Sequence, residues 1–165
     1  MLMPVQTPQP RFAADAMLGR LARWLRVVGF DTTYNAVLSD QELVRLAEDE
    51  GRILLTRDRH LLRDLDPELA HEVRQDEPLD QLREVVAVLD LPPPAELFTR
   101  CMLCNAELPP PLEEKEAEQL LPPAVRKIPG PVRRCAACER VYWHGSHVWR
   151  MREKLERAVP GWLDQ

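Results

Sequence analysis

The sequence predicts an α/β fold: a parallel sheet flanked by helices, followed by a small cysteine-bearing module with a C-terminal helix. Three observations carry that expectation. Over residues 10–92, short apolar or β-branched runs alternate with amphipathic helical segments, the pattern of β-α units. Residues 91–96, "LPPPAE", form a stiff linker. Beyond it come two C-x-x-C pairs, a Pro- and Glu-rich insertion and a basic helix. The expected units are therefore 10–92 and 97–160, each with its own core.

In order along the chain, "RFAAD" at 11–15 reads as a short strand ending in an acid. Residues 16–28 place Leu18, Leu21, Ala22, Leu25 and Val28 on one helical face, with Arg20, Arg23 and Arg26 on the opposite arc. Gly29 ends that helix and "FDTTY" supplies a second strand. "SDQE" at 39–42 has the form of a capping box, opening a helix that runs to Gly51. "RILLT" is a third strand, and Asp58 reads locally as the cap of a short helix beginning near His60. Residues 70–75 make a weak fourth strand, and Pro78 opens a helix to about Leu89.

Hydrophobic residues make up 45% of the chain, enough for a sizeable core, and no apolar run approaches the ~20 residues of a membrane span. "MLMPVQTPQP" carries neither a basic nor an apolar signal-peptide region, so a cytoplasmic, reducing compartment is the expectation. The net charge of −5 hides an asymmetry: residues 1–94 hold 11 basic and 17 acidic side chains, residues 126–157 hold 9 and 3. A positive segment on an acidic protein suits a polyanionic partner.

Cys101 and Cys104 form the first C-x-x-C pair, Cys135 and Cys138 the second. Each pair has the spacing of a zinc knuckle, and four thiolates complete a structural zinc site with no open position. Two disulfides, unrelated buried thiols and a rubredoxin-like iron site are the alternatives. His144 and His147, in "YWHGSH", are expected to pack against Tyr142 and Trp143 or to face a ligand such as nucleic acid.

Four acids fall at strand ends: Asp15 after the first strand, Asp40 at the helix after the second, Asp58 after the third and Asp76 after the fourth. In an open parallel sheet these ends share one crevice, where ligands bind. Carboxylates gathered there need a cation, and oxygen ligands suit Mg²⁺ or Mn²⁺. Such an ion can activate water for phosphodiester hydrolysis. Arg57 and Arg59 flank Asp58, placed to keep it ionised and to attract a phosphate.

"DAMLGRLARWLRVVGFDT", "SDQELVRLAEDEGRILLTRDR", "RCMLCN" and "CAACERVYWHGSH" together resemble the Mut-seven C-terminal ribonuclease domain family, also called DUF82, over about residues 10–155. The resemblance implies a PIN-like nuclease domain at 10–92 coupled to a zinc ribbon at 97–160, and hence a metal-dependent ribonuclease. Asp15, Asp40 and Asp58 fall where PIN-like domains keep acids, with Asp76 a weaker match. Where related proteins often have a further acid two positions after Asp58, this chain has His60. The implied substrate is RNA, in single-stranded form. Arg20, Arg23, Arg57, Arg133, Arg134 and Arg140 are candidates for its phosphates, with Trp24, Trp143 or His147 as stacking surfaces.

Other classes fit less well. A receiver-like signalling domain needs a lysine after its fifth strand, yet the first lysine here is Lys115. Phosphate-loop and dinucleotide enzymes need a glycine-rich loop, and the six glycines are scattered. A non-catalytic RNA-binding or adaptor protein is the main alternative; a toxin-type PIN ribonuclease is a lesser one.

Overall fold

The computed structural model describes residues 9–127 and 129–164. Residues 1–8, most of the stretch expected to lack signal-peptide features, lie outside them. Four short strands, β1 (Phe12–Ala14), β2 (Thr32–Tyr34), β3 (Ile53–Thr56) and β4 (Ala70–Glu72), form a parallel sheet in the order β2-β1-β3-β4. The helices between and after them are α1 (Gly19–Val27), α2 (Asp40–Asp49), α3 (Arg59–Leu65) and α4 (Pro78–Val88). Phe12, Ala14 and Leu55 face α1 and α4; Ala13 and Leu54 face α2 and α3. This two-residue alternation follows from the strand pleat. The chain moves one way from β1 to β2, then back past β1 to β3. Right-handed crossovers therefore put α1 on one face and α2 and α3 on the other.

Two local departures have clear causes. The helix expected from residue 16 opens as a 3-10 turn (Ala16–Leu18), and α1 proper begins at Gly19. The Tyr34 ring lies so close that a Cβ at position 19 would sit 2.8 Å from it. The fourth strand ends at Glu72: Val73 N–H still donates to the Thr56 carbonyl, but the Arg74 and Gln75 N–H groups leave the ladder and donate to the Glu84 carboxylate.

The second unit holds α5 (Glu114–Leu120), a helix inside the insertion that its composition did not reveal, and the antiparallel pair β5 (Val132–Arg134) and β6 (Val141–Trp143). It ends in α6 (Ser146–Ala158). The expectation of separate cores does not hold. Val148, Met151 and Leu155 recur at helical spacing and pack into the core of the first unit, with α6 lying against α4. Trp162 joins the same core, its indole N–H donating to the Leu91 carbonyl at 3.1 Å. Among the described residues, no helix is long and apolar enough to cross a membrane.

Candidate active site and metal centre

The strand order reverses between β1 and β3, so the carboxyl ends of these adjacent strands flank the sheet's switch point, the usual ligand crevice of open α/β sheets. Asp15 leaves β1 there, and Asp58 follows β3. Thr56 links them: its buried hydroxyl donates to Asp15 Oδ2 at 2.7 Å and accepts from the Asp58 backbone N–H at 2.9 Å. Asp15 is itself only 8% exposed, so this bond fixes its rotamer. Asp58 Oδ1 accepts from the His60 and Leu61 N–H groups, the N-cap its sequence position suggested. Both capping bonds go to one oxygen. Thr56 was not singled out from the sequence; a hydroxyl at a strand end, two residues before an acid, was the available signal.

The other two acids stand further out. Asp40 is exposed at the first turn of α2, lining a shallow groove with His60 and Asp64. It follows Ser39 and the reciprocal Ser39–Glu42 capping box. Asp76 is 84% exposed and ion-paired with Arg57. Among the described residues, no three carboxylates bring oxygens within 4.8 Å of one another. Arg57 and Arg59 do not act on Asp58 as the flanking positions suggested: Arg57 turns to Asp76, and Arg59 donates to Glu72 at 2.7 Å.

The cysteines converge. Cys101, Cys104, Cys135 and Cys138 place their Sγ atoms within 4.8 Å of one another, with 3.5 Å between Cys101 and Cys138 and between Cys104 and Cys135. These separations exceed a disulfide bond of ~2.05 Å. They approach the ~3.8 Å edge that a tetrahedron of ~2.3 Å Zn–S bonds requires. The donor set therefore fits a structural zinc. Burial pushes the Cys101 thiol up, but N–H groups of Cys104 and Leu103 and the Tyr142 hydroxyl outweigh it, bringing it to about 6. Cys104 is pushed up to about 12, chiefly by burial and by its neighbouring sulfurs. The surroundings thus favour the thiolate at Cys101 and oppose it at Cys104, where a bound cation would supply the compensating charge. Both pairs are followed by a left-handed residue, Asn105 (φ 69°) and Glu139 (φ 61°), which turns the chain back under the cysteines.

Residues 10–155 match the Mut7-C RNAse domain, nearly the whole chain. The chain belongs to this family. Membership points to a ribonuclease-type hydrolase with RNA as substrate, and the four cysteines of this Mut7-C chain can hold a zinc ion. No curated protein and no solved structure matches it.

In this Mut7-C chain the arginines proposed for RNA fall into two groups. Arg20 and Arg23 are exposed on α1, and Arg140 is exposed beside the second cysteine pair. Arg133 is held by the Pro109 carbonyl and Glu96, and Arg134 pairs with Glu139. His147 is exposed and stands edge-on to Trp143, while His144 is half-buried against Phe98. Arg26 departs from the outward arc assigned to it: it is buried, donating to the Thr32, Met102 and Leu103 carbonyls. With Asn105, which bonds both Thr32 N–H and Asp31, it clamps the first cysteine loop onto β2. Periodicity could not reveal this, because two of its three partners, Met102 and Leu103, lie more than 70 residues away.

Proposed function

We propose that this chain is a Mg²⁺- or Mn²⁺-dependent ribonuclease that hydrolyses single-stranded RNA at the Asp15–Asp58 edge of the sheet, with the zinc ribbon assisting binding. The observation that carries this is the Thr56 bridge, which ties the Asp15 carboxylate to the Asp58 backbone at the switch point of a Mut7-C fold. Mg²⁺ commonly takes one or two carboxylates and completes its shell with waters and substrate phosphates. Asp15 and Asp58 supply such a pair, with Asp40 and Asp76 on the rim. When bound, the ion would acidify a water and offset charge on the scissile phosphate.

The protein's own contribution is positional. Thr56 holds one Asp15 oxygen, the amides of His60 and Leu61 hold one Asp58 oxygen, and the remaining oxygens are left for ligation. Arg20, Arg23, Arg57 and Arg140 supply positive charge for the RNA backbone, and His147 a stacking surface. A cytoplasmic setting suits four reduced thiols.

The capping bonds of Asp58 favour the alternative, a non-catalytic RNA-binding or adaptor protein in which the acids only stabilise helices. A metal-supplemented cleavage assay on unstructured RNA discriminates the two, with an Asp58→Asn control, since asparagine caps as well as aspartate. Cleavage by the parent chain that vanishes in the variant supports the nuclease. No cleavage in either supports the adaptor, and equal cleavage would leave a nuclease in which Asp58 serves only as a helix cap.

A further inference from the structure

Three helices of the first core leave a groove between them. Arg20 and Trp24 of α1, Asp80 and Arg83 of α4, and Lys154 and Arg157 of α6 line a cavity of about 490 Å³. A second, of about 270 Å³, continues from the same Arg20 and Trp24 past Arg23 to Met102 and Met151. We propose that this continuous groove is the path along which single-stranded RNA reaches the Asp15–Asp58 edge, an inference that rests on the ribonuclease reading above.

The direction of the groove follows from the topology. Helices that follow parallel strands begin at the carboxyl edge of the sheet, so the first turns of α1 and α4 lie where Asp15 and Asp76 emerge. Arg20 stands in the first turn of α1, and Glu77 and Pro78 open α4. The C-terminal part of α6, with Lys154, Arg157 and Ala158, lines this same end. The other end, at Met102 and Met151, reaches the first cysteine loop. The groove thus joins the ribbon to the candidate catalytic edge.

Its charge suits a polyanion. On α6, His147, Arg150, Lys154 and Arg157 recur at spacings of three and four, a stripe of ~15 Å beside the core-facing Val148–Met151–Leu155 face. Most arginines of this acidic chain are engaged by carboxylates, as at Arg52, Arg57, Arg59 and Arg134. Among the described residues, none of Arg20, Arg23, Arg150 and Lys154 has such a partner within 4.0 Å. The acids in the groove are Glu77 and Asp80, and Asp80 is paired with Arg83 at 2.8 Å. Trp24 is half-buried between the two cavities. An indole flanked by unpaired cations fits an unpaired base between two phosphates, and it has no use for a duplex whose bases are stacked inside.

The test measures binding in an Asp58→Asn background, so that cleavage does not intrude. The probe is a labelled oligouridylate of about 20 nucleotides, longer than the ~4–16-nucleotide sites of single-strand binders. Arg20→Glu with Lys154→Glu is compared with Arg45→Glu and Lys115→Glu, the same charge change at exposed positions outside the groove. The groove pair is expected to weaken binding at least tenfold and to shallow the salt dependence by roughly two phosphate contacts, while the outside pair changes little. Circular dichroism checks that both fold. Trp24→Phe, which keeps a ring, should bind more tightly than Trp24→Ala. Equal losses in the two charge pairs, no loss in the groove pair, equal affinity for a duplex, or displacement of RNA by polyglutamate at matched charge would each overturn the proposal. Failure of the parent chain to cleave RNA with Mg²⁺ or Mn²⁺ would defeat the ribonuclease reading and leave this binding result standing on its own.

Discussion

Thr56 makes one hydroxyl serve two acids, donating to Asp15 and accepting from the amide that precedes Asp58's side chain. Replacing it with valine keeps the shape but strands both partners, at a cost of about 1–3 kcal/mol for the buried polar groups left unpaired. Thr56→Val is expected to lower the melting temperature modestly and to reduce cleavage sharply, with Thr56→Ser restoring both. A kinetic loss that serine does not rescue would show that the methyl group mattered and the hydroxyl did not. Asp31 carries a second prediction. Burial works to raise its pKa, but bonds from Arg52 and Asn105 outweigh it and hold the carboxyl below its usual range. A depressed folded-state pKa contributes stability above the unfolded value and loses it as pH falls. Asp31→Asn should therefore destabilise the fold at neutral pH, and the gap from the parent should close below about pH 4 in denaturant titrations.

At the scale of elements, the sequence was most informative where the cause is local. The Ser39–Glu42 box marks the start of α2, Gly29 the end of α1, and the cysteine spacing both metal loops. It was least informative where partners are distant: Arg26 looks like any outward arginine until the first cysteine loop offers it two carbonyls. The same holds for α6. Its apolar stripe announces a buried face, but only the tertiary structure shows that α4 and the core of the first unit cover it. One consequence reverses the expectation of independent units. Zinc removal, or Cys135→Ser, should lower the melting temperature of the entire chain, because the ribbon feeds α6 into the common core. Tryptophan fluorescence and far-ultraviolet circular dichroism should then report one coincident transition. Two separated transitions would mean that the ribbon melts alone. Elemental analysis of the parent chain should give one zinc per chain.

For the molecule as a whole, the alternation of elements and the Mut7-C motifs made the sheet, its helical layers and the cysteine site legible in advance. The arrangement of carboxylates was legible only in part. Strand ends placed four acids on one edge, but side-chain partners then separated them: Asp15 and Asp58 are joined through Thr56, while Asp76 is taken by Arg57 and Asp40 stays exposed. No local pattern encodes that division, since it depends on which strands are neighbours. The central claim is that the joined pair holds a divalent ion for RNA hydrolysis. It is tested most directly by cleavage of an unstructured RNA under Mg²⁺ or Mn²⁺ by the parent, Asp15→Asn and Asp58→Asn chains, with RNA affinity measured on the same samples. The predicted result is metal-dependent cleavage by the parent, lost in both variants while folding and affinity persist. Cleavage that survives either substitution, or full activity of the parent in EDTA, would contradict it.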